Sequence, residues 1–239
     1  MMKLHLLGVN GPFPESNGAT SGYLLEVGDS LFQFDLGSGV LGRLTALTAP
    51  ESLSALFISH WHFDHAADVP VLMYRLQALN RTLCVYGPAD PDAALYRLVS
   101  SESCFAFSEV KAGDTFSVNG TVFRVTSARH PVPAVGYIAA GEGRSFGYTG
   151  DTNTLPSLSE EYHGCDLLLS VGIFTRETWT ESKPNLSAEQ AARLASDACV
   201  GSLIITHLNP FISRRILLDE ARAVFPRTQL AEPGITIER

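Results

Sequence analysis

The chain is short of cysteine, of lysine and of long apolar runs, and each shortage excludes something. Its four cysteines (Cys84, Cys104, Cys165 and Cys199) stand apart with no Cys-x-x-Cys spacing. That argues against both a disulfide framework and a thiolate-held metal. The three lysines are Lys3, Lys111 and Lys183, and the formal net charge is −8. A surface this acidic is a poor match for an extended phosphate backbone, so RNA is the less favoured partner. The one adjacent basic pair, Arg214-Arg215, is better explained as a solvated helix face. No apolar run approaches membrane-spanning length, and the opening Met1-Met2-Lys3-Leu4-His5-Leu6-Leu7-Gly8 is too short and too soon interrupted for a signal peptide. A cytoplasmic protein with no membrane association is therefore expected. Gly/Ser linkers, charge blocks and low-complexity stretches are missing too, so the 239 residues are expected to form one domain, 1–239.

What the chain does have is His60-Trp61-His62-Phe63-Asp64-His65, at the end of the apolar run Ala55-Leu56-Phe57-Ile58-Ser59. Four potential metal ligands fall within six residues, where a buried strand would run out into a loop. Side chains at i and i+2 of an extended segment point the same way, so His60 and His62 can reach one ion together. Asp64 and His65, after the turn, can face a second ion. Imidazole and carboxylate suit zinc or another borderline divalent metal. The competing interpretation is a solvated histidine-rich loop, which such ligand density disfavours.

Strands are expected over 3–9, 22–28, 31–35, 115–118, 121–127, 135–140, 145–149, 167–170 and 203–206. Hairpin turns are expected at Gly28-Asp29-Ser30, Asn119-Gly120 and Gly141-Glu142-Gly143. Helical periodicity marks 38–48, 66–80, 88–100, 187–199 and 213–225, the fourth opened by the capping box Ser187-x-x-Gln190. The mixture points to an α/β layered fold with helices outside and sheets within. Phe57-Ile58-Ser59-His60 and Ile204-Ile205-Thr206-His207 share a pattern, an apolar strand closed by a polar residue and a histidine. Two short matches hint at similar halves but are weak evidence of repetition.

Three further candidates share the placement of His60. His130 follows the strand 121–127 and precedes Pro131-Val132-Pro133; Asp151 follows Tyr148-Thr149-Gly150; His207 closes the strand 203–206. Alone, each is more often a cap or turn residue. Together, at strand ends, they lie where layered α/β proteins build sites. His5 and His163 are left over as structural or surface residues.

At this point the chain resembles the metallo-β-lactamase-fold hydrolases, and within them the ribonuclease Z-like and cyclic-nucleotide phosphodiesterase-like branch. The residues that carry the likeness are His60-x-His62-x-Asp64-His65, then His130, Asp151 and His207 in order, with Ala19-Thr20-Ser21-Gly22-Tyr23-Leu24-Leu25, Asp35-Leu36-Gly37-Ser38-Gly39, His130-Pro131-Val132-Pro133 and Tyr148-Thr149-Gly150-Asp151-Thr152. The resemblance implies a four-layer αβ/βα sandwich of two mixed sheets with helices outside, and two divalent ions, zinc first and manganese as the alternative. His60, His62 and His130 would hold one ion, Asp64, His65 and His207 the other, and Asp151 would bridge them. Asp35 would accept from a ligand imidazole and fix its tautomer, its competing role being a turn-capping Asp before Gly37. Asp64 would both ligate and orient a metal-bridging hydroxide. A homodimer is the common arrangement among relatives.

The implied activity is hydrolysis of a small or cyclic nucleotide-like phosphodiester. A two-ion site suits that reaction but also the opening of a lactone or thioester, and fold alone does not choose. Two departures bear on activity. Where ribonuclease Z-like enzymes open a segment with a histidine that assists at the scissile phosphate, this chain has Asn185-Leu186-Ser187-Ala188; asparagine donates a hydrogen bond but cannot shuttle a proton near neutral pH. Where relatives carry an acidic residue, it has Val171-Gly172-Ile173-Phe174. No long basic insertion separates His130 from Asp151 to grip a tRNA. Asn185 is thus a candidate substrate-binding residue. A carbonyl hydrolase, a tRNA 3′-processing-like endonuclease and a catalytically weakened metal-binding module stay open as alternatives.

Overall fold

The computed structural model describes residues 1–238. The elements run β1 (Met2–Gly8), β2 (Gly22–Val27), β3 (Ser30–Phe34), α1 (Val40–Leu47), β4 (Ala55–Phe57), α2 (Phe63–Ala66), α3 (Val69–Ala78), β5 (Leu83–Gly87), α4 (Ala94–Ser101), β6 (Phe105–Glu109), β7 (Thr115–Val118), β8 (Thr121–Ser127), β9 (Val135–Gly141), β10 (Arg144–Tyr148), α5 (Leu158–Glu161), β11 (Leu167–Val171), α6 (Ala188–Asp197), β12 (Leu203–Thr206), α7 (Arg214–Val224), β13 (Thr228–Leu230) and β14 (Thr236–Glu238). One seven-stranded sheet has the order β14-β1-β2-β3-β4-β5-β6 and the other β13-β12-β11-β10-β9-β8-β7. Both are mixed: β3 to β6 are parallel in the first, β10 to β13 in the second, and the remaining pairs are antiparallel.

Three cores explain the layering. Alternate residues of β3, β4, β8, β9 and β10 face inward between the sheets, where Phe34, Phe57, Phe123, Tyr137, Phe146 and Tyr148 pack as aromatic neighbours. The opposite face of the first sheet is covered by α1, α3 and α4 through Leu44, Leu72, Leu76 and Val99. The opposite face of the second is covered by α5, α6 and α7 through Leu158, Ala191, Ala195, Leu217 and Ala221. A period of two on strands and an apolar stripe on helices thus give the expected four-layer αβ/βα sandwich.

Most expected elements form within one or two residues. The hairpins at Asn119-Gly120 and Glu142-Gly143 both place two successive residues at positive φ, as a two-residue turn between twisted strands requires. Ser187 caps α6, its hydroxyl accepting from the Gln190 backbone N–H at 3.1 Å. Two helices differ from expectation. The helix expected over 66–80 starts only at Val69, with Pro70 in its first turn, and a separate single turn, α2, precedes it and closes at Ala66. Asp68 sits between the two, where its backbone N–H donates to Leu36 O and its carboxylate accepts from Leu41 N. The helix expected from Pro88 starts only at Ala94, because Pro91 disfavours helical backbone at Asp90 and the chain turns there, Ala93 N donating to Asp90 O. α2, β5, β6, β13, β14 and α5 are additions, all of five residues or fewer. Among the described residues no helix is long and apolar enough to cross a membrane.

The layout places the site. β3 and β4 are parallel neighbours in one sheet, and β8, β10 and β12 share a direction in the other, so their C-terminal ends open on one edge. β4 and β12, the two strands of matching sequence pattern, lie in different sheets, and the histidine after each reaches this edge.

Candidate metal centre

Beyond β4 the chain bends at Ser59, is extended again at His62 and then turns into α2. Trp61 turns to the opposite side from the histidines on either side of it. Its indole N–H donates to Pro88 O at 2.8 Å, and its ring packs on Tyr96 and Phe107 beneath the first sheet. His60 and His62 share the other side, with His60 Nε2 2.9 Å from His62 Nδ1. His130, delivered by β8, brings its Nε2 to 3.2 Å from the same His62 Nδ1. Asp64 and His65, in the single turn of α2, meet His207 from the end of β12: His207 Nε2 lies 3.0 Å and His65 Nε2 3.5 Å from Asp64 Oδ2. Asp151, beyond β10, stands between, its Oδ1 3.5 Å from His65 Nε2 and its Oδ2 3.4 Å from His207 Nε2. Three groups of possible ligands result: His60/His62/His130, Asp64/His65/His207, and His60/His65/Asp151.

Asp35 organises the buried side of this cluster. It is fully buried, and its carboxylate accepts from Ser59 N (2.7 Å), Ser59 Oγ (2.8 Å), His65 Nδ1 (2.7 Å) and Tyr148 OH (2.6 Å). Because the Ser59 hydroxyl proton goes to Asp35, its oxygen is free to accept from His60 Nδ1, 3.1 Å away. One carboxylate therefore fixes His65 directly and His60 through Ser59, leaving the Nε2 of each for the site. His130 Nδ1 donates to Pro184 O at 3.3 Å, with the same consequence. Asn185, expected beside the substrate, is buried, and its amide donates to Asp151 Oδ2 at 2.9 Å.

The arrangement needs a cation. With their Nδ1 protons given away, His60 and His130 both turn Nε2 lone pairs toward His62 Nδ1, which can offer one proton at most. Nitrogens about 2.0–2.1 Å from a tetrahedral zinc lie roughly 3.3 Å from one another, close to the spacings found here. His65 Nε2, which faces the site, is buried with no hydrogen-bond partner. The charges agree. Burial would lower the His65 pKa, but Asp151, Asp64 and Asp35 outweigh it and push it up to about 10. Burial opposes ionisation of Asp64 and Asp151, yet the surrounding imidazoles hold both carboxyls below their usual range. His60 is driven the other way, first by burial and then by the neighbouring histidines. Where Asp151, Asp64 and Asp35 draw positive charge onto His65, a divalent ion could supply that charge instead, and such a nest of carboxylates and imidazoles fits one.

Four supports went unread in the sequence. Ser59 follows the apolar strand β4, Tyr148 closes β10, and Asn153 is an unremarked loop residue. Gly11 lies against His207, where a Cβ would come within 2.2 Å of the imidazole Cε1. Gly37, within a motif quoted above, is similarly tight: its Cβ would meet Asp64 O at 2.1 Å. Exposed aromatic rings stand close in the chain to the site residues. Phe63, between His62 and Asp64, is 69% exposed, and Phe211, four residues after His207, is 85% exposed and pairs with Phe13 at 5.2 Å.

The chain matches known proteins along its whole length. The model of the beta-lactamase superfamily domain covers residues 34–208, from the end of β3 to just beyond His207. The probable metallo-hydrolase YhfI of Bacillus subtilis is 29% identical, over 99% of this chain and all of that protein. The YhfI crystal structure superposes with a TM-score of 0.93, over 99% of this chain and 98% of that one. A ribonuclease Z of Methanosarcina acetivorans is 25% identical, over the whole chain and 98% of its own length. Human tRNase Z, short form, shares the fold at 18% identity with a TM-score of 0.81, covering 99% and 98% of the two chains. Sandwich, strand-end histidines and matched span agree: the chain belongs to the beta-lactamase superfamily and is a metallo-hydrolase of that superfamily.

Proposed function

We propose that the protein is a dinuclear zinc phosphodiesterase acting on a small, nucleotide-like phosphodiester. The observation that carries this is the pair of three-ligand groups set side by side with Asp151 between them. In this reading His60, His62 and His130 hold one ion, Asp64, His65 and His207 hold the second, and Asp151 serves both. The kinship with a ribonuclease Z favours a phosphodiester over a carbonyl substrate, and the formal charge of −8 favours a small one over a polyanion.

Ions held there would bring the pKa of a bound water toward neutrality and stabilise charge on the attacking and leaving oxygens of an in-line displacement. The protein supplies the rest. Asp35 and Ser59 hold His65 and His60 with their Nε2 atoms turned inward. Asn185 restrains Asp151 through its amide and carries no proton that could be passed to a leaving group near neutral pH. Substrates with good leaving groups should therefore react best. Exposed rings at Phe63, Phe13 and Phe211 offer a planar base a surface on which to stack.

The test is turnover by the zinc-loaded protein of a nucleoside cyclic phosphodiester, a simple alkyl phosphodiester, a lactone and a thioester. The proposal expects the cyclic nucleotide to be turned over with the highest kcat/KM. Faster lactone or thioester hydrolysis would establish the carbonyl-hydrolase reading in its place.

A further inference from the structure

The segment from Phe174 to Ser187, between β11 and α6, contributes no side chain to the three possible ligand groups, yet two of their members lean on it. His130 donates to the Pro184 carbonyl and Asp151 accepts from the Asn185 amide. Much of this strap is exposed and polar, including Arg176, Glu177, Thr180, Glu181 and Ser182. A loop of that kind has little burial to define its conformation. It is held instead by hydrogen bonds from the body of the protein. Asn153, fully buried two residues beyond Asp151, turns its Nδ2 to Lys183 O at 2.6 Å, with Glu181 O at 3.3 Å and Thr180 O at 3.4 Å also in reach. The Asn153 Oδ1 accepts from Thr154 N at 2.7 Å, which fixes which end of the amide faces the strap. Within the strap, the Trp179 indole N–H donates to Asn185 O at 3.1 Å.

We infer that Asn153, seconded by Trp179, is a positioning residue: it clamps the 174–187 strap so that Pro184 aims His130 and Asn185 aims Asp151. The inference rests on the dinuclear reading above, and it is asymmetric. The Asp64/His65/His207 group is held from elsewhere, by Asp35 behind His65 and by Gly11 against His207. Loosening the strap therefore weakens most the ion held by His60, His62 and His130, which loses the aim of His130 as well as that of Asp151, while the other keeps its three ligands held from elsewhere. Substituting a group that orients a metal-ligating imidazole typically lowers metal affinity by about 10- to 100-fold.

The test is retention of zinc by the loaded protein during dialysis against rising chelator, read as ions per chain. Asn153→Ala is compared with wild type and with Leu72→Ala, which opens a cavity in the core beneath the first sheet. Asn153→Ala is expected to lose one of two ions at about 10- to 100-fold lower chelator and to release the second at a concentration much nearer the wild-type one. Trp179→Phe, which removes the indole N–H and keeps a smaller aromatic ring, is expected to shift the same ion by a smaller factor. Leu72→Ala should lower the melting temperature while leaving the retention curve unchanged. Retention of both ions by Asn153→Ala and Trp179→Phe at wild-type chelator would overturn the inference, as would loss of both ions together. A wild-type protein that starts with fewer than two ions overturns the dinuclear reading itself, and this result is distinguishable from the others.

Discussion

Asp151→Ala is expected to remove hydrolysis far more completely than the roughly 10- to 100-fold loss typical of a supporting residue. Its two carboxylate oxygens stand 3.5 and 3.4 Å from His65 Nε2 and His207 Nε2, and it joins His60 and His65 in a third possible ligand group. No neighbouring side chain can take its place, because Asn185, beside it, directs a donor rather than an acceptor at this point. The chain should still fold: Asp151 lies beyond the end of β10, and the packing of Phe146 and Tyr148 between the sheets does not depend on it. Steady-state rates with the best phosphodiester substrate, taken alongside circular dichroism, check this. A folded variant within ten-fold of wild type would contradict the bridging role.

Asp35→Ala should strike the fold as well as the chemistry. Four donors converge on this carboxylate: the Ser59 backbone and hydroxyl, the His65 ring and the Tyr148 phenol. Alanine leaves all four buried without an acceptor and puts a residue ill suited to positive φ at φ 52°. Removing one partner from a buried, charge-assisted network costs about 3–5 kcal/mol. Urea denaturation of the metal-free proteins measures it without interference from bound ions. Asp35→Ala should lose stability on that scale while metal-free Asp151→Ala stays closer to wild type. A loss under about 1 kcal/mol, the size of an ordinary substitution, would show that Asp35 carries no such network.

The contrast between these two aspartates shows what the sequence could and could not convey. His60, His62, Asp64 and His65 were legible because strand alternation and a following turn constrain neighbouring residues, and the structure keeps that geometry, with Trp61 on the opposite side. His130, Asp151 and His207 were legible by their shared position after strands. Ser59 was not. A serine before a histidine has many ordinary roles, and only the meeting of β3 and β4 with the 59–65 turn makes it a relay to Asp35. Asn153 and Gly11 were hidden for the same reason, since their partners lie 30 residues away at Lys183 and far beyond that at His207. The two sheets follow from the sequence, but β5 and β6 do not: both are five residues long, too short for periodicity to set them apart from the loops around them. The late start of α3, after Asp68, reflects tertiary hydrogen bonds to Leu36 and Leu41 that local periodicity does not contain.

Metal content per chain, measured by elemental analysis after gentle dialysis, bears most directly on the central claim. Six ligands in two groups of three, with Asp151 between, predict close to two divalent ions per chain, zinc foremost. A value near zero in a protein whose folding is indifferent to chelators would contradict the account at its root, because the convergent lone pairs of His60, His62 and His130 would then have no cation to answer them.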